Sequence, residues 1–326
     1  MNLVVLGASG FIGRHLFEHY ADNPNVNLKG IYFTNNSELL KQDKRFIKAD
    51  LRDVSNVKSV LRGADIVIQA AASTTGINDA IKNPSVHVTD NVIMNSLLLR
   101  EAAVQKVSKF IFLSCTVMYQ KEKYPQRLQA VSEIDDNLND EIYHTYVGAG
   151  WTKVYIEKMC KFYSNNSNLT THCLRHSNVY GPWDKFDPFR SHVIGATIGK
   201  VLLSTDEKIV VWGDGSEFRD FLYISDLVNA INKCIGLETK ENFNIWNIGS
   251  GVGIKISDLV KIIRKISRKE HREIFFDHTK PTAKTGVILN CEKFFKASGW
   301  VPQVSLEVGL ENTIKWYLEN FQSLNH

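Results

Sequence analysis

A glycine-rich turn near the start of the chain constrains the fold more than any other feature. Residues 7–13, with the sequence GASGFIG, directly follow the apolar run Asn2–Leu6 and open a helix-like segment that reaches Tyr20. Glycine lets such a turn tighten and lets backbone N–H groups approach a pyrophosphate at the positive end of the helix. The motif therefore predicts a dinucleotide site, and the alternative is an ordinary glycine turn without a ligand. The expected contacts in this turn are Gly7, Ser9, Gly10, Phe11, Ile12, Gly13 and Arg14.

Short apolar runs alternate with longer helix-like stretches through the first half of the chain. The runs that predict buried strands are Asn2–Leu6, Leu28–Phe33, Phe46–Lys48, Ile66–Gln69 and Phe110–Ser114. This order predicts an α/β fold of the Rossmann type, with a doubly wound parallel sheet and ligands at the carboxyl ends of its strands. Residues 1–170 should form this domain, with about 205–250 partly returning to it, and 171–326 a smaller C-terminal α/β substrate lobe.

Composition excludes several other classes of protein. The 326 residues carry a net charge of +4 from 39 basic and 35 acidic side chains, which does not indicate nucleic-acid binding. The five cysteines are scattered and form no C-x-x-C pair, which argues against disulfides and against a metal site and favours the cytoplasm. The apolar run Leu3–Leu6 is too short for a signal peptide, and no stretch is long enough to cross a membrane.

The end of the second predicted strand bears on the choice between NAD and NADP. An NAD-specific site usually has an acidic residue there for the adenosine ribose, but the chain reads Thr34-Asn35-Asn36. With Arg14 as a candidate partner for a 2′-phosphate, the pattern leans to NADP, although Arg14 is equally compatible with a solvated surface position. Further cofactor contacts are expected after the second, third and fourth strands and in the next helix, at Thr34, Asp50, Leu51, Ala70, Ala71, Ala72 and Asn91.

Motifs along nearly the whole chain resemble those of one enzyme family. Asp90-Asn91 and Met94-Asn95 lie in a predicted helix, the run 219–226 reads RDFLYISD, and the end of the chain contains Gly299-Trp300-Val301-Pro302. Together with the glycine turn, they resemble the nucleotide-sugar epimerase/dehydratase family of extended short-chain dehydrogenases/reductases. Segments 178–182, 184–186 and 191–194 are most similar to the branch that contains GDP-fucose synthase, which implies a GDP-linked sugar. By this resemblance the substrate contacts are Asn178, His192, Val193, Lys200, Trp212 and Arg219.

The family's catalytic pattern is only partly present. Members use a Ser or Thr after the fifth strand and a Tyr-x-x-x-Lys motif, in which Lys holds the nicotinamide ribose and lowers the tyrosine pKa. Lys153 matches the lysine, whereas Ala149 stands at the tyrosine position and Cys115, beside Thr116, at the Ser/Thr position. If the enzyme oxidises an alcohol or reduces a ketone, another acid/base or a water molecule must then exchange the proton. The candidates before the lysine helix are Tyr143, His144 and Tyr146.

His192 matches the histidine that serves GDP-fucose synthase as an acid/base, and imidazole titrates close to neutral pH. The cysteine that partners it in that enzyme corresponds to Val117, so a double epimerisation by the same two groups is in doubt. Cys115 remains either a weak acid or a small inert hydrophobic residue.

The leading hypothesis is an NAD(P)-dependent oxidoreductase that acts at C4 of a nucleotide sugar in the biosynthesis of surface polysaccharide. A dehydrogenase or 4-keto reductase, with or without epimerisation, fits better than a dehydratase, because residues 115–117 lack the carboxylates that elimination needs. The rival hypothesis is a catalytically degenerate protein that binds cofactor and nucleotide sugar without turnover. The resemblance also implies a homodimer that packs helices near 91–103 and 148–163.

Overall fold

The computed structural model describes residues 1–34, 43–73, 84–123, 126–187, 191–203, 207–280 and 285–324. Its strands, in chain order, are β1 (Asn2–Leu6), β2 (Asn27–Tyr32), β3 (Phe46–Lys48), β4 (Ile66–Gln69), β5 (Lys109–Cys115), β6 (Gln126–Val131), β7 (Thr170–His176), β8 (Asn178–Tyr180), β9 (Lys208–Trp212), β10 (Phe218–Tyr223), β11 (Phe243–Ile248), β12 (Gly253–Lys255), β13 (Glu273–Asp277) and β14 (Gly286–Leu289). Its α-helices are α1 (Phe11–Ala21), α2 (Val54–Leu61), α3 (Thr89–Val104), α4 (Val147–Asn166), α5 (Val193–Leu203), α6 (Ile224–Gly236), α7 (Ile256–Ile266), α8 (Glu292–Ser298) and α9 (Leu306–Leu324).

A seven-stranded sheet forms the centre of the larger domain. Its order is β11-β7-β5-β4-β1-β2-β3, and every neighbouring pair is parallel. The order reverses direction at β1, which is the doubly wound arrangement that places ligands outside the carboxyl ends of the strands. The predicted Rossmann fold is confirmed, and the five predicted strands agree with the observed ones to within one residue at each end.

Both faces of this sheet are covered by apolar helix surfaces, which explains the nearly continuous hydrophobic runs in the sequence. On one face Leu16 of α1 and Leu227 of α6 pack with Ile68 and Leu174. The opposite face forms a second cluster from α2, α3, α4 and the sheet, whose fully buried members include Leu61, Leu98, Cys160, Val67 and Phe110.

A smaller lobe is built from the later part of the chain. It contains a three-stranded sheet, in the order β12-β10-β8, and the parallel pair β13-β9. Ile198 of α5, Leu259 of α7 and Leu310 of α9 form its core with Phe221 of β10. β11 lies between these segments along the chain yet completes the large sheet, so the chain crosses between the two parts more than once.

None of the helices in the described ranges is both long and apolar enough to cross a membrane. The same ranges contain no group of three or more His, Cys, Asp or Glu side chains arranged to hold a metal ion.

Candidate active site

The glycine turn forms a cradle that side chains would fill. Gly7 has φ +76°, a left-handed conformation that favours glycine, and a Cβ built there would lie 2.7 Å from the Cα atom of Ala71. A Cβ on Gly13 would collide with the carbonyl oxygen of Gly7. The turn leads directly into α1. The first N–H groups of a helix have no partner within the helix, and they point out of an end that attracts anions. These residues fit a dinucleotide pyrophosphate.

Charged side chains lie near the carboxyl end of β2. Asp50 accepts hydrogen bonds from the backbone N–H and the Nε of Arg52, each at 2.9 Å, and Arg52 lowers the pKa of Asp50 by these bonds. The guanidinium carbon of Arg52 is 5.3 Å from the ring centre of exposed Phe33. Thr34 is also exposed, and Leu51 is buried. Asn35 and Asn36 lie outside the described residues.

Arg14 is engaged with side chains of the protein. Its Nε donates to Glu18 at 2.7 Å, and its guanidinium carbon is 3.3 Å from the centre of the Trp183 ring. His15 reaches the same loop through its Nε2, which is 2.8 Å from the carbonyl oxygen of Pro182. Contact between Arg14 and a 2′-phosphate therefore requires Arg14 to give up some of these partners.

Asn91 shapes the segment after β4. Its side-chain oxygen accepts the backbone N–H of Ser73 at 2.9 Å, and its Nδ2 donates to the carbonyl oxygens of Ser73 and His87 at 2.9 and 3.0 Å. The small residues Ala70, Ala71 and Ala72 precede Ser73, and Ala71 is the residue against which Gly7 packs. Asn91 thus holds the chain that forms one wall of the cradle.

Lys153 lies at the carboxyl end of β5, beside Cys115. Its Nζ donates to the carbonyl oxygen of Leu113 at 2.7 Å and lies 4.6 Å from the centre of the Phe112 ring. Burial lowers the pKa of the Lys153 ammonium, and Cys115 and Glu157 oppose that shift. Burial raises the pKa of the Cys115 thiol, which therefore stays protonated near neutral pH.

The residues before Lys153 form the N-terminal end of α4. Tyr146 is the N-cap, and together with Ala149 it lies on the side of the helix that carries Lys153, within roughly 60° when viewed down the axis. Tyr143 is half-buried, with its ring centre 6.3 Å from that of Tyr146. His144 is exposed and pairs with Glu122 at 2.8 Å. Of the three predicted substitutes for the missing tyrosine, Tyr146 is the one on the lysine side of α4.

A buried ion pair fastens α4 to the sheet beneath the site. Glu157, one turn after Lys153, accepts the Nε of Arg175 at 3.0 Å and one of its terminal nitrogens at 2.7 Å. The hydroxyl of Ser114 donates to the same carboxylate at 2.6 Å, and the other terminal nitrogen of Arg175 donates to the Tyr119 hydroxyl at 2.7 Å. Both charged side chains are 4% exposed. This pair holds the lysine helix against β5 and β7.

Two histidines extend the site beyond β5. His176 stands opposite Cys115 in the register of β7 and β5, and its Nδ1 is 2.8 Å from the carbonyl oxygen of Ser177. Burial lowers the pKa of His176 to about 4, with smaller contributions from the charges of Lys153 and His192. His192 is exposed and directly precedes α5. His176 belongs to no motif in the sequence, and its place at the end of β7 is the signal that could have identified it.

The expected substrate residues are spread over the smaller lobe. The Nζ of Lys200 lies 4.8 Å from the centre of the Trp212 ring, and burial lowers the pKa of Lys200. Asn178 donates through Nδ2 to the carbonyl oxygen of Asp220 at 3.0 Å. Arg219 donates to the carbonyl oxygens of Phe218, at 2.8 Å, and of Thr285. Val193 is half-buried in the first turn of α5, and Thr116 is buried after β5. The structure thus joins Lys200 with Trp212, whereas Arg219 and Asn178 bond to backbone.

Comparison with known proteins agrees with this geometry. Residues 3–249 match the model of the NAD dependent epimerase/dehydratase family. The chain is 30% identical to GDP-L-fucose synthase from Escherichia coli over 78% of the chain and 81% of that protein. It is 26% identical to GDP-L-colitose synthase from Yersinia pseudotuberculosis, with 98% of both chains covered. The structure of UDP-glucuronic acid 4-epimerase from Bacillus cereus, in complex with UDP-glucuronic acid and NAD, is similar with a TM-score of 0.80, 27% identity and 98% and 99% coverage.

Proposed function

The chain belongs to the NAD-dependent epimerase/dehydratase family, and from that premise we propose that it is an NAD(P)-dependent oxidoreductase acting at C4 of a GDP-linked sugar. The reaction is a dehydrogenation or a 4-keto reduction, with or without epimerisation, in the biosynthesis of surface polysaccharide. The named activities of the E. coli and Yersinia relatives support GDP as the nucleotide.

The observation that carries this proposal is the position of Lys153. Its ammonium bonds to the last part of β5, on the sheet edge where the glycine cradle follows β1. A bound nicotinamide would supply the hydride acceptor or donor for the sugar carbon. Lys153 would hold the nicotinamide ribose and stabilise negative charge that develops on a neighbouring oxygen.

The proton at the sugar oxygen needs a group other than Ala149. Tyr146 is our proposed proton donor, because it is the N-cap of α4 on the side of the helix that carries Lys153, and a phenol hydroxyl can exchange a proton with a sugar oxygen. The thiol of Cys115 and the hydroxyl of Thr116 would hydrogen-bond the sugar, and His192 would exchange a proton at the substrate.

The proposed cofactor is NADP or NAD, with a lean to NADP. The residues that directly follow β2, Phe33-Thr34-Asn35-Asn36, include no acidic side chain, which is compatible with a 2′-phosphate. Arg14 already contacts Glu18 and Trp183, so we expect at most a modest preference for NADP over NAD.

A homodimer and a cytoplasmic location remain part of the proposal. The exposed apolar side chains Ile93 on α3 and Tyr155 and Phe162 on α4 would lie between two copies of the chain. The five cysteines are unpaired in the structure, as expected in a reducing compartment.

Turnover of a GDP-hexose or its 4-keto derivative, followed by nicotinamide absorbance, tests the proposal. We expect Lys153→Met to reduce the rate at least about 100-fold, and Lys161→Met, at an exposed position of the same helix, to leave it unchanged. An undiminished rate in Lys153→Met would refute the role of the lysine. Binding of cofactor and sugar without turnover would favour the degenerate binding protein.

A further inference from the structure

The segment that joins β8 to α5 contacts the start of α1. We call its residues 181–187 the bridging loop. The guanidinium carbon of Arg14 is 3.3 Å from the centre of the Trp183 ring, and the Nε2 of His15 is 2.8 Å from the carbonyl oxygen of Pro182. Arg14 and His15 directly follow the glycine turn. The bridging loop is therefore attached to the helix whose first N–H groups would bind the pyrophosphate.

Trp183 also contacts the C-terminal helix α9. The centre of its ring is 4.8 Å from that of Trp316. Phe186, further along the bridging loop, stacks with Trp316 at 5.9 Å and lies 4.7 Å from the ring centre of Tyr317. Aromatic pairs at these separations attract each other beyond the effect of the area they bury. Trp183 thus contacts α1 and α9 at the same time.

The backbone of Trp183 depends on these contacts. Its φ is +66°, in the left-handed region, which is unfavourable for a bulky side chain. A residue stays in such a conformation only where the surrounding structure holds it there. The contacts of the Trp183 ring with Arg14 and Trp316 can do this. The conformation of the bridging loop therefore depends on α1 and α9 as well as on its own sequence.

The far end of the bridging loop supports α5. A Cβ on Gly195, in the first turn of α5, would collide with the carbonyl oxygen of Lys185, so the helix and the loop are in direct contact. α5 contains Val193 and Lys200, which are expected to contact the nucleotide sugar, and His192 directly precedes it. A shift of the bridging loop would therefore move these residues relative to the glycine turn.

We propose that Trp183 is a positioning residue that aligns α5 with the glycine turn and makes the cofactor and the nucleotide sugar bind cooperatively. The inference rests on the proposed function, which assigns the turn to the cofactor and α5 to the nucleotide sugar. A cofactor on the turn restrains α1 and, through Arg14 and Trp183, also the bridging loop and α5. The second ligand then binds a site that is already ordered.

Backbone hydrogen exchange, without any ligand, tests the link between α1 and α5. Trp183→Leu and Arg14→Met each remove the contact between these two side chains. The N–H groups of Lys185 and Ala196 are hydrogen-bonded in the native protein and should exchange about tenfold faster in both variants. Phe295→Leu, which replaces an exposed aromatic side chain on α8, should leave both rates in place. Equal rates in Trp183→Leu and the native protein would overturn the proposal.

Calorimetric titration with GDP, with and without saturating NADPH, measures the cooperativity. In the native protein we expect the cofactor to tighten GDP binding about tenfold, and in Trp183→Leu less than about twofold. Trp183→Phe keeps an aromatic face for Arg14 and should restore part of the effect. In turnover, Trp183→Leu should raise the KM for the nucleotide sugar about tenfold and leave kcat nearly unchanged, because Trp183 acts on binding and not on the reacting atoms.

The outcomes separate this proposal from the proposed function. If hydrogen exchange changes as expected but the native protein binds neither NADPH, NADH nor GDP, the link between α1 and α5 stands, whereas the proposed function and the cooperativity fail. If both ligands bind and the cofactor tightens GDP binding equally in Trp183→Leu and the native protein, the positioning role of Trp183 fails alone.

Discussion

Replacing Arg175 by Met tests the buried ion pair that fastens the lysine helix to the sheet. The change removes two hydrogen bonds to Glu157, at 3.0 and 2.7 Å, and one to the Tyr119 hydroxyl at 2.7 Å. It also removes a contact with Asp136 at 3.3 Å, but Asp136 keeps its ion pair with Lys121 at 3.3 Å. It leaves the carboxylate of Glu157, 4% exposed, with the Ser114 hydroxyl as its remaining hydrogen-bond donor among the described residues. A buried charge without its partner destabilises the folded state strongly.

The expected loss in the free energy of unfolding is about 3–5 kcal/mol. Because a 326-residue chain gains roughly 0.7 kcal/mol/K of entropy on unfolding, the Tm should fall by about 4–7 °C. In the double variant Glu157→Gln/Arg175→Met no charge remains unpaired, so its loss should be smaller than that of Arg175→Met alone.

Denaturant unfolding followed by tryptophan fluorescence, together with calorimetry, measures both quantities. Lys261→Met removes an exposed pair with Asp258 and should change the free energy of unfolding by less than about 1 kcal/mol. The reasoning is refuted if Arg175→Met is as stable as this control, or if the double variant is less stable than Arg175→Met.

Three further predictions concern the cradle, the missing tyrosine and pH. Gly13→Ala places a Cβ against the turn and should weaken NAD(P)H binding at least tenfold in a fluorescence titration, whereas Gly236→Ala, with open space around it, should bind normally; equal affinities would contradict the cradle. Ala149→Tyr should raise the rate of redox at C4, and an unchanged rate with cofactor bound would show that the proton is already handled elsewhere. Burial lowers the pKa of His172 to about 4, below its unfolded value near 6.5. In the folded protein the neutral ring accepts the Trp246 N–H at its Nδ1. The stability that comes from keeping this ring neutral is present above pH 6.5 and is lost towards pH 4. Urea unfolding from pH 7 to 4 should show this loss, up to about 3 kcal/mol, in the native protein and not in His172→Gln; parallel profiles would contradict it.

The sheet was predictable because its strands are buried on both faces. Ile66–Gln69, for example, is a continuous apolar run apart from its last residue, and the structure has the strand with the same bounds. The roles of Gly7 and Gly13 could likewise be predicted from the sequence, because a side chain at either position would collide with backbone between β1 and α1. Local patterns of this kind predict the backbone conformation of the residues that form them.

The remaining parts of the site depend on contacts between distant segments. The sequence suggested Arg14 as a partner for a 2′-phosphate, but in the structure its guanidinium stacks on Trp183, which is distant in sequence. His176 has no motif that marks it, and only the strand register places it opposite Cys115. The spacing of residues along the sequence does not predict such contacts, because they form only when distant segments pack together.

Native mass spectrometry of the purified protein, followed by denaturation and identification of any released nucleotide, shows whether the chain holds a nicotinamide cofactor. We predict one NAD(H) or NADP(H) per chain, either co-purified or taken up when both are added, and none in Gly13→Ala. A native protein that binds neither cofactor, even with a GDP-sugar present, would contradict the claim that this chain is an NAD(P)-dependent oxidoreductase.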